Sequence, residues 1–303
     1  MNTQTASEDI TAAPAAFHIP VLAVVGVGLI GGSLALSLKR CGAVGEVIGI
    51  SHDPASVQKA VELGIVDRVG TLEDAGQATI IVIATPVSAF ESVCSSIRPF
   101  LKPETIVTDV CSTKQQVIVA ARRALGDKAG QFIPGHPIAG AETSGPQAAQ
   151  PFLFEQKQVI LTPLEENAAD VIDTMTRLWE ACGSNVCHLS AAEHDRIFAA
   201  VSHMPHLLSA LFMYSLLNDE MTATKLKFAG SGFRDFTRIA AGAPVMWRDI
   251  FSSNRDCMLE EITRFQACLE QARQMLESGN MDAFEAWLTA AAQARRDWEN
   301  PPS

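Results

Sequence analysis

Residues 21–31 read Val-Leu-Ala-Val-Val-Gly-Val-Gly-Leu-Ile-Gly, and a helical pattern of apolar residues follows as far as Leu38. The apolar run is typical of a buried strand, and the glycines have the spacing Gly-x-Gly-x-x-Gly. There the first glycine permits a tight turn, the second lets the backbone approach a pyrophosphate, and the third packs the helix on the strand. The segment predicts a dinucleotide-binding turn, although a sugar-nucleotide-binding or non-binding α/β domain could carry the same glycines. We assign five residues of the turn to cofactor binding: Gly26, Gly28, Leu29, Ile30 and Gly31.

Short apolar runs alternate with amphipathic helical patterns from residue 19 to about residue 188. This alternation predicts an α/β fold with a Rossmann-type, doubly wound parallel sheet. The predicted strands are Val21–Val25, Val47–Ile50, Thr79–Ala84, Thr105–Asp109, Gln131–Pro134 and Gln158–Leu161.

The pattern changes after His188. Ser190 and Glu193 have the spacing of a capping box, which marks the start of a helix, and no later segment has strand periodicity. We therefore predict an all-helical C-terminal domain, with the substrate site where the two domains meet. The predicted parts are a disordered tail (1–18), a dinucleotide-binding Rossmann domain (19–188) and a helical substrate and dimerisation domain (189–303).

The helix predicted from Asp195 to Leu217 is apolar around most of its circumference. Such a helix is expected to be surrounded by others, either across a homodimer or within one chain. Two later apolar stripes, separated by Ser278-Gly279-Asn280, predict an antiparallel helical hairpin.

Composition narrows the class of protein. The 303 residues are 48% hydrophobic and 19% charged, as in ordinary globular proteins, and the net charge of −11 disfavours nucleic acid or an anionic membrane as the partner. The seven cysteines are scattered and contain no Cys-x-x-Cys, which fits free thiols in a reducing compartment. With no signal-peptide pattern and no apolar run of spanning length, we expect a cytoplasmic, soluble protein.

Ser51-His52-Asp53 follow the second predicted strand, where an acidic side chain would hold the ribose 2′-hydroxyl of NAD. Ser51 stands where the acid is expected, His52 offers a partner for a 2′-phosphate, and Asp53 comes two residues late. The segment favours NADP and leaves NAD open. Thr85 and Pro86, after the third predicted strand, complete the predicted cofactor site.

His136 lies between Gly135 and Pro137 at the end of a predicted strand. The carboxyl ends of parallel strands meet at one edge of the sheet, where ligands bind, and the same edge should carry the polar segment 109–114 with Ser112. A histidine there is suited to take a hydroxyl proton as hydride leaves the carbon. The alternative is a strand-terminal histidine bonded to the backbone.

The segment Ser202-His203-Met204-Pro205-His206 lies inside a predicted helix, which Pro205 should bend. Ser202 and His206 are four residues apart and share a face. The histidines could contact substrate, could be hydrogen-bonded core residues, or could form half of a metal site with His194. Since no further ligand at helical spacing completes such a site, we predict no metal.

Two arginines, Arg234 and Arg238, lie in a glycine-led segment of this acidic chain. The planar guanidinium suits a carboxylate. A surface ion pair is the competing interpretation, and it fits Arg234, next to Asp235, better than Arg238.

Together these motifs resemble the prephenate/arogenate dehydrogenase family of tyrosine biosynthesis. The resemblance covers roughly residues 20–275. Beyond the glycine turn it rests on Gly-His-Pro-Ile-Ala-Gly-x-Glu-x-Ser-Gly (135–145), Ser-His-Met-Pro-His (202–206), Gly-Phe-Arg-Asp-Phe-Thr-Arg (232–238) and Met-Trp-Arg-Asp-Ile-Phe (246–251).

The resemblance implies oxidative decarboxylation of prephenate or arogenate, with hydride transfer to NAD(P). It implies that His136 is the base, that Ser112 orients His136 and the substrate hydroxyl, and that Arg238 grips a substrate carboxylate. The other substrate-binding residues that it implies are His206, Ser202, His203 and Trp247.

Two alternatives stay open at this point. A β-hydroxyacid dehydrogenase has the same two-domain plan, but it would need a lysine base on the first interdomain helix, which offers histidines instead. A dinucleotide sensor without turnover would keep the glycine turn and lose any dependence of rate on His136.

Overall fold

The computed structural model describes residues 17–141, 143–217 and 219–300. Most of the predicted N-terminal tail therefore lies outside the described residues. The strands are β1 (Ile19–Val25), β2 (Val44–Ile50), β3 (Arg68–Val69), β4 (Ile80–Ile83), β5 (Ile106–Asp109), β6 (Phe132–Ile133), β7 (Gly135–Pro137), β8 (Gln158–Leu161) and β9 (Asn185–His188). The α-helices are α1 (Leu29–Arg40), α2 (Pro54–Glu62), α3 (Val87–Ile97), α4 (Gln115–Leu125), α5 (Ala169–Ala181), α6 (Ala191–Phe198), α7 (Met204–Leu217), α8 (Thr222–Lys227), α9 (Ser231–Thr237), α10 (Pro244–Ser253), α11 (Arg255–Glu277) and α12 (Met281–Glu299).

The main sheet has six parallel strands in the order β3-β2-β1-β4-β5-β6. Side chains alternate across it, so that Leu22 and Val24 pack into the core on one face and Ala23 and Val25 into the core on the other. The predicted Rossmann-type, doubly wound sheet is thereby confirmed. Strand order reverses between β1 and β4, which is where such sheets bind ligands.

The prediction for residues 158–161 was wrong in one respect. They form a strand, but β8 lies in a separate three-stranded sheet, antiparallel to β7 and parallel to β9. Only Pro134 separates β6 from β7. Proline has no N–H for the main ladder, and its carbonyl instead accepts from Thr162 N at 3.0 Å. The chain thus leaves the main sheet just before His136.

The chain forms two compact units. The first runs through Asp195 and also includes Gly242–Ser253; the second comprises Arg196–Ala241 and the chain from Asn254 onward. The segment with α10 thus belongs to the first unit, whereas the predicted division had one boundary. No described residue after His188 is in a strand.

The predicted capping box is present at the start of α6. Glu193 N donates to Ser190 Oγ at 3.2 Å, and Ser190 N donates to Glu193 Oε2 at 3.0 Å. The two bonds satisfy N–H groups that the first helical turn leaves without partners.

The helix that starts there continues to Leu217 through a π-helical segment, Ala199–His203, directly before Met204-Pro205. A π segment is one way to accommodate the N–H that proline lacks. The stretch 191–217 is long and apolar enough to cross a bilayer by length and composition, a test that core helices of soluble proteins also pass, and 33% of its most apolar window is buried.

The predicted helical hairpin forms from α11 and α12. Gly279, with φ of +67°, ends the first helix, and the side chain of Asn280 accepts from Ala283 N at 3.1 Å to begin the second. Positive φ favours glycine at this position.

Candidate active site

The glycine turn joins β1 to α1 beside the end of β4. Gly26 has φ of +99°, and a Cβ there would lie 2.5 Å from the carbonyl oxygen of Ala84. A Cβ on Gly31 would lie 2.3 Å from the carbonyl oxygen of Gly26. Both positions thus require glycine because backbone passes too close for a side chain.

Gly28 has a different reason to be glycine. A Cβ there would meet nothing within 4 Å, and Gly28 is the N-cap of α1, with Leu29 and Ile30 opening the helix. The first N–H groups of a helix lack intrahelical partners and attract an anion. The open space over this end of α1 fits a pyrophosphate that approaches the backbone.

Thr85 supplies independent support for a ligand at this edge. Its Oγ1 atom is buried and has no hydrogen-bond partner among the described residues. Pro86 follows as the N-cap of α3. Because buried hydroxyls normally find partners, a cofactor atom at this edge would satisfy Thr85, and the residues present fit a dinucleotide.

In the segment after β2, the carboxylate of Asp53 forms a hydrogen bond with the backbone. Its Oδ1 accepts from Ala55 N at 3.1 Å as the N-cap of α2, and Asp53 N donates to Ser51 Oγ at 3.1 Å. His52 is exposed. The segment after β2 thus has a half-buried serine and an exposed histidine before the capping carboxylate.

His136 lies in the middle of β7 and is buried, with 9% of its surface exposed. Its Nδ1 is 2.8 Å from Nε2 of His194, and Nδ1 of His194 is 2.8 Å from Oδ1 of Asp195. The two rings meet edge to face at 62°. A carboxylate and two imidazoles thus form one continuous chain within the first unit.

Asp195 also caps α4. Its Oδ1 accepts from Lys114 N at 2.7 Å and its Oδ2 from Gln115 N at 2.9 Å. A carboxylate at a helix N-terminus satisfies orphan N–H groups and interacts favourably with the helix dipole. The geometry therefore holds Asp195 in one orientation.

The charge states of the chain follow from burial and hydrogen bonding. Burial lowers the pKa of His194, and its bond to Asp195 offsets this only in part. Burial acts to raise the pKa of Asp195, but bonds from His194 and from the N–H groups of Gln115 and Lys114 outweigh it and hold the pKa below its ordinary value. Near neutral pH the pair is a carboxylate facing a neutral imidazole.

A buried ion pair fixes the start of β7. Lys114 and Asp109, both fully buried, meet at 2.6 Å. Lys114 Nζ also donates to the carbonyl of Gly135 at 2.6 Å, and Gly135 N donates to Asp109 Oδ1 at 3.0 Å. The residue before His136 is thus held through both of its backbone polar groups.

Ser112 lies half-buried between Asp109 and Lys114, on the loop after β5. Its neighbour Thr113 shares a hydrogen bond of 2.7 Å with Ser253 of α10. Burial raises the pKa of Cys111 well above its ordinary value, so this thiol does not supply a thiolate nucleophile. The half-buried hydroxyl of Ser112 lies on the same loop, between the buried Cys111 and Thr113.

Trp247 lies on α10, within the first unit, and is half-buried. Its ring packs against that of Phe251, with the centroids 5.6 Å apart. Its assignment to the substrate site rests on the family resemblance, because an apolar tryptophan on a helix would otherwise be expected in the core.

The other predicted substrate residues belong to the second unit. His206 is buried, and burial lowers its pKa to about 4, so the ring is neutral at neutral pH. His203 is buried as well, with Nδ1 3.2 Å from the amide nitrogen of Asn254, which is the environment of a hydrogen-bonded core histidine. Ser202 is half-buried in the π segment, and Arg238 is exposed at the end of α9.

Among the described residues, no three His, Cys, Asp or Glu side chains are grouped to hold a metal ion.

The sequence did not reveal which buried residues form hydrogen bonds around His136. We considered His194 only as a metal ligand, and we did not single out Asp195 or the pair of Lys114 with Asp109. The capping box at Ser190 was the available signal, because it placed His194 and Asp195 at the start of a helix.

The glycine turn, the sheet and the helical second unit define an NAD(P)-dependent dehydrogenase with a Rossmann domain. Two family models match the chain: "Prephenate dehydrogenase, nucleotide-binding domain" over residues 34–188 and "Prephenate dehydrogenase, dimerization domain" over residues 190–290. The chain belongs to the prephenate dehydrogenase family, which confirms the resemblance seen in its motifs. Neither the β-hydroxyacid dehydrogenase nor the sensor is favoured.

Similar proteins are enzymes of this family. A prephenate dehydrogenase of Bacillus subtilis is 32% identical over 276 residues, covering 90% of this chain and 74% of the relative. A cyclohexadienyl dehydrogenase of Zymomonas mobilis is 31% identical over 280 residues, covering 90% and 94%. The crystal structure of a prephenate dehydrogenase from A. aeolicus with hydroxyphenyl propionate and NAD+ matches with a TM-score of 0.87 and 32% identity, over 92% of this chain and 98% of that one.

Proposed function

We propose that this enzyme oxidatively decarboxylates prephenate, arogenate or both, reducing NAD(P)+ and forming 4-hydroxyphenylpyruvate or tyrosine. The observation that carries the proposal is the placement of His136. It is buried, it lies in the same unit as the dinucleotide turn, and its Nδ1 is engaged by a second buried imidazole. A histidine held through Nδ1 presents Nε2 for proton transfer.

His136 is the general base in this proposal. Its Nε2 takes the proton of the ring hydroxyl as the carbon that bears the hydroxyl is oxidised. Ser112, on the loop beside Asp109, orients that hydroxyl. The nicotinamide, when bound, accepts the hydride from the same carbon.

Loss of the ring carboxylate as CO2 needs no further base from the chain. The electron pair of the breaking C–C bond enters the ring, and the product becomes aromatic. His136 in its protonated form stays near the oxygen and stabilises the negative charge that collects there.

Arg238 and His206 are proposed to hold the substrate. The guanidinium of Arg238 suits a carboxylate through two parallel hydrogen bonds. His206 is neutral because burial lowers its pKa to about 4, so it can hydrogen-bond the keto group of prephenate without adding charge. Ser202 and Trp247 are proposed as further contacts. His203, with its bond to Asn254, is the weakest member of the set.

NADP is the proposed cofactor, with NAD the alternative. The support is the place of Ser51 and His52 after β2, together with the use of Asp53 as a helix cap. A carboxylate that caps a helix is less available to a ribose hydroxyl, and the absence of an acid at residue 51 leaves room for a 2′-phosphate.

A homodimer in the cytoplasm is the proposed assembly. Support comes from the dimerization-domain match and from large apolar side chains of the second unit that are exposed in the single chain. Exposed apolar patches of this kind mark interaction surfaces. Examples on the helix 191–217 are Val201, Leu211, Phe212 and Leu217.

Product stoichiometry tests the reaction. The enzyme is incubated with prephenate and NADP+, or with prephenate and NAD+, and reduced cofactor, CO2 and aromatic product are each quantified. Equal amounts of all three support the proposal. Reduced cofactor without CO2 would indicate a simple alcohol oxidation and would contradict it.

A further inference from the structure

The chain from Asp195 to His136 fixes where the protons lie. An ionised carboxylate only accepts hydrogen bonds, so the contact of 2.8 Å with Asp195 requires the proton of His194 on Nδ1. A neutral imidazole carries one proton. Nε2 of His194 therefore has a lone pair and acts as an acceptor.

The position of the proton on His136 follows from that on His194. Nε2 of His194 lies 2.8 Å from Nδ1 of His136, so His136 must be the donor and carry its proton on Nδ1. Its Nε2 then carries the lone pair with which a general base takes a proton. The opposite tautomer would place two lone pairs against each other.

We propose that His194 and Asp195 are positioning residues, which fix His136 in the tautomer with an unprotonated Nε2 and stabilise the imidazolium that forms when Nε2 takes the substrate proton. The inference rests on the proposed function of His136. In the step, the substrate O–H bond breaks, an N–H bond forms at Nε2, and no proton has to leave Nδ1.

The surroundings keep this arrangement in place. His194 and Asp195 are fully buried, and the two N–H groups at the start of α4 hold the carboxylate. The other charges that act on His194 are Lys114, which disfavours its protonation, and Asp109, which favours it. These two form their own ion pair at 2.6 Å, and Asp195 contacts His194 Nδ1 directly at 2.8 Å.

Two variants of His194 separate positioning from packing. His194→Met removes the acceptor, whereas His194→Gln keeps an amide oxygen that can accept from Nδ1 of His136. We expect His194→Met to lower kcat roughly 10²- to 10³-fold, within the range of general base catalysis, and His194→Gln to recover at least about tenfold of that loss. Cofactor affinity, measured by titration, should be unchanged in both and serves as the control for folding.

The pH profile supplies a readout that lost packing would not move. A protonated His136 without its acceptor is less stable, so the acidic limb of kcat/KM should move to lower pH in His194→Met. Equal kcat in the two variants, or an unshifted acidic limb in His194→Met, would overturn the inference.

Nitrogen NMR of 15N-histidine-labelled enzyme tests the tautomer directly, without substrate. The signal assigned by its loss in His136→Asn should show the proton on Nδ1 in the wild type, and this preference should be lost in Asp195→Asn. A proton on Nε2 of His136 in the wild type would overturn the inference. Near-normal turnover of His136→Asn would instead contradict the proposed function, so the two failures are distinguishable.

Discussion

Nδ1 of His136 lies 2.8 Å from Nε2 of His194, which joins a strand of the small sheet to the first turn of α6. The contact brings together residues 58 positions apart. It makes the proposed base part of a hydrogen-bonded chain that ends on the carboxylate of Asp195, at the N-terminus of α4. The N-terminal turns of α4 and α6 thus help to position the proposed base, in addition to the strand that carries it.

Replacing the proposed base should abolish most turnover and leave cofactor binding intact. His136→Asn removes the proton acceptor but keeps a side chain of similar polarity. We expect kcat to fall about 10²- to 10⁴-fold, with unchanged affinity for NAD(P)+ measured by fluorescence titration. Near-normal kcat would contradict the assignment of His136 as the base.

Replacing the proposed carboxylate ligand should weaken substrate binding more than it slows the chemistry. Arg238→Gln removes the guanidinium, and we expect KM for the substrate to rise about 10- to 100-fold with a smaller change in kcat. Arg264→Gln, at an exposed position of the same unit that pairs with Glu261, is the matched control. Equal effects of the two variants on KM would show that general charge, not a specific contact, is responsible.

A methyl group at Gly28 should affect the cofactor and not the fold. A Cβ there meets no protein atom within 4 Å, whereas one on Gly31 would lie 2.3 Å from the carbonyl oxygen of Gly26. Gly28→Ala should therefore raise the Kd for the cofactor while the free energy of unfolding stays within about 0.5 kcal/mol of wild type. Gly31→Ala should lower stability as well. Normal cofactor binding by Gly28→Ala would contradict the assignment of this turn to the pyrophosphate.

Breaking the buried pair beneath β7 should be strongly destabilising. Lys114→Met leaves the carboxylate of Asp109 buried without its ammonium partner, and removing one partner of a buried pair costs about 3–5 kcal/mol. Urea unfolding measures the change. The double variant Asp109→Asn/Lys114→Met should lose less than Lys114→Met, because no unpaired charge remains; a larger loss in the double variant would contradict this role.

Acid should destabilise the protein, because two buried histidines are neutral in the folded state. Burial lowers the pKa of His206 to about 4 from its ordinary 6.5, and burial also lowers the pKa of His194. Between about pH 6.5 and 4 residue 206 binds more protons in the unfolded chain than in the folded chain, so the stability that neutral His206 contributes is full above about pH 6.5 and is lost as pH falls, by up to about 1.4 kcal/mol per pH unit. The lowered pKa of His194 acts in the same direction. Unfolding in urea at about pH 7, 6 and 5 should show this slope, reduced in His206→Asn. An unchanged slope in that variant would contradict the assignment to His206.

Local patterns in the sequence predicted the elements that depend on neighbouring residues. The spacing of Gly26, Gly28 and Gly31 identified the cofactor turn, and Ser190 with Glu193 identified the start of α6. These features are determined within one strand, one turn or one helix end. The order of apolar runs was enough for the doubly wound sheet.

Long-range contacts could not be predicted in the same way. The strand at residues 158–161 was identified, but its sheet was not, because pairing with β7 depends on where Pro134 takes the chain out of the main sheet. Asp195 meets the N–H group of Lys114, 81 residues away. No periodicity within the helix shows that its first turn touches the start of α4, so the positioning role of Asp195 and His194 became visible only in the structure.

The most direct test of the account is the initial rate of nicotinamide reduction with each substrate and each cofactor: prephenate or arogenate, combined with NAD+ or NADP+. We predict rapid reduction with at least one of the two substrates and a higher kcat/KM with NADP+ than with NAD+. A preference for NAD+ would contradict only the proposed preference for NADP, which is based on Ser51 and His52. The absence of reduction in all four combinations, with a folded enzyme that binds the cofactor, would contradict the proposed function itself.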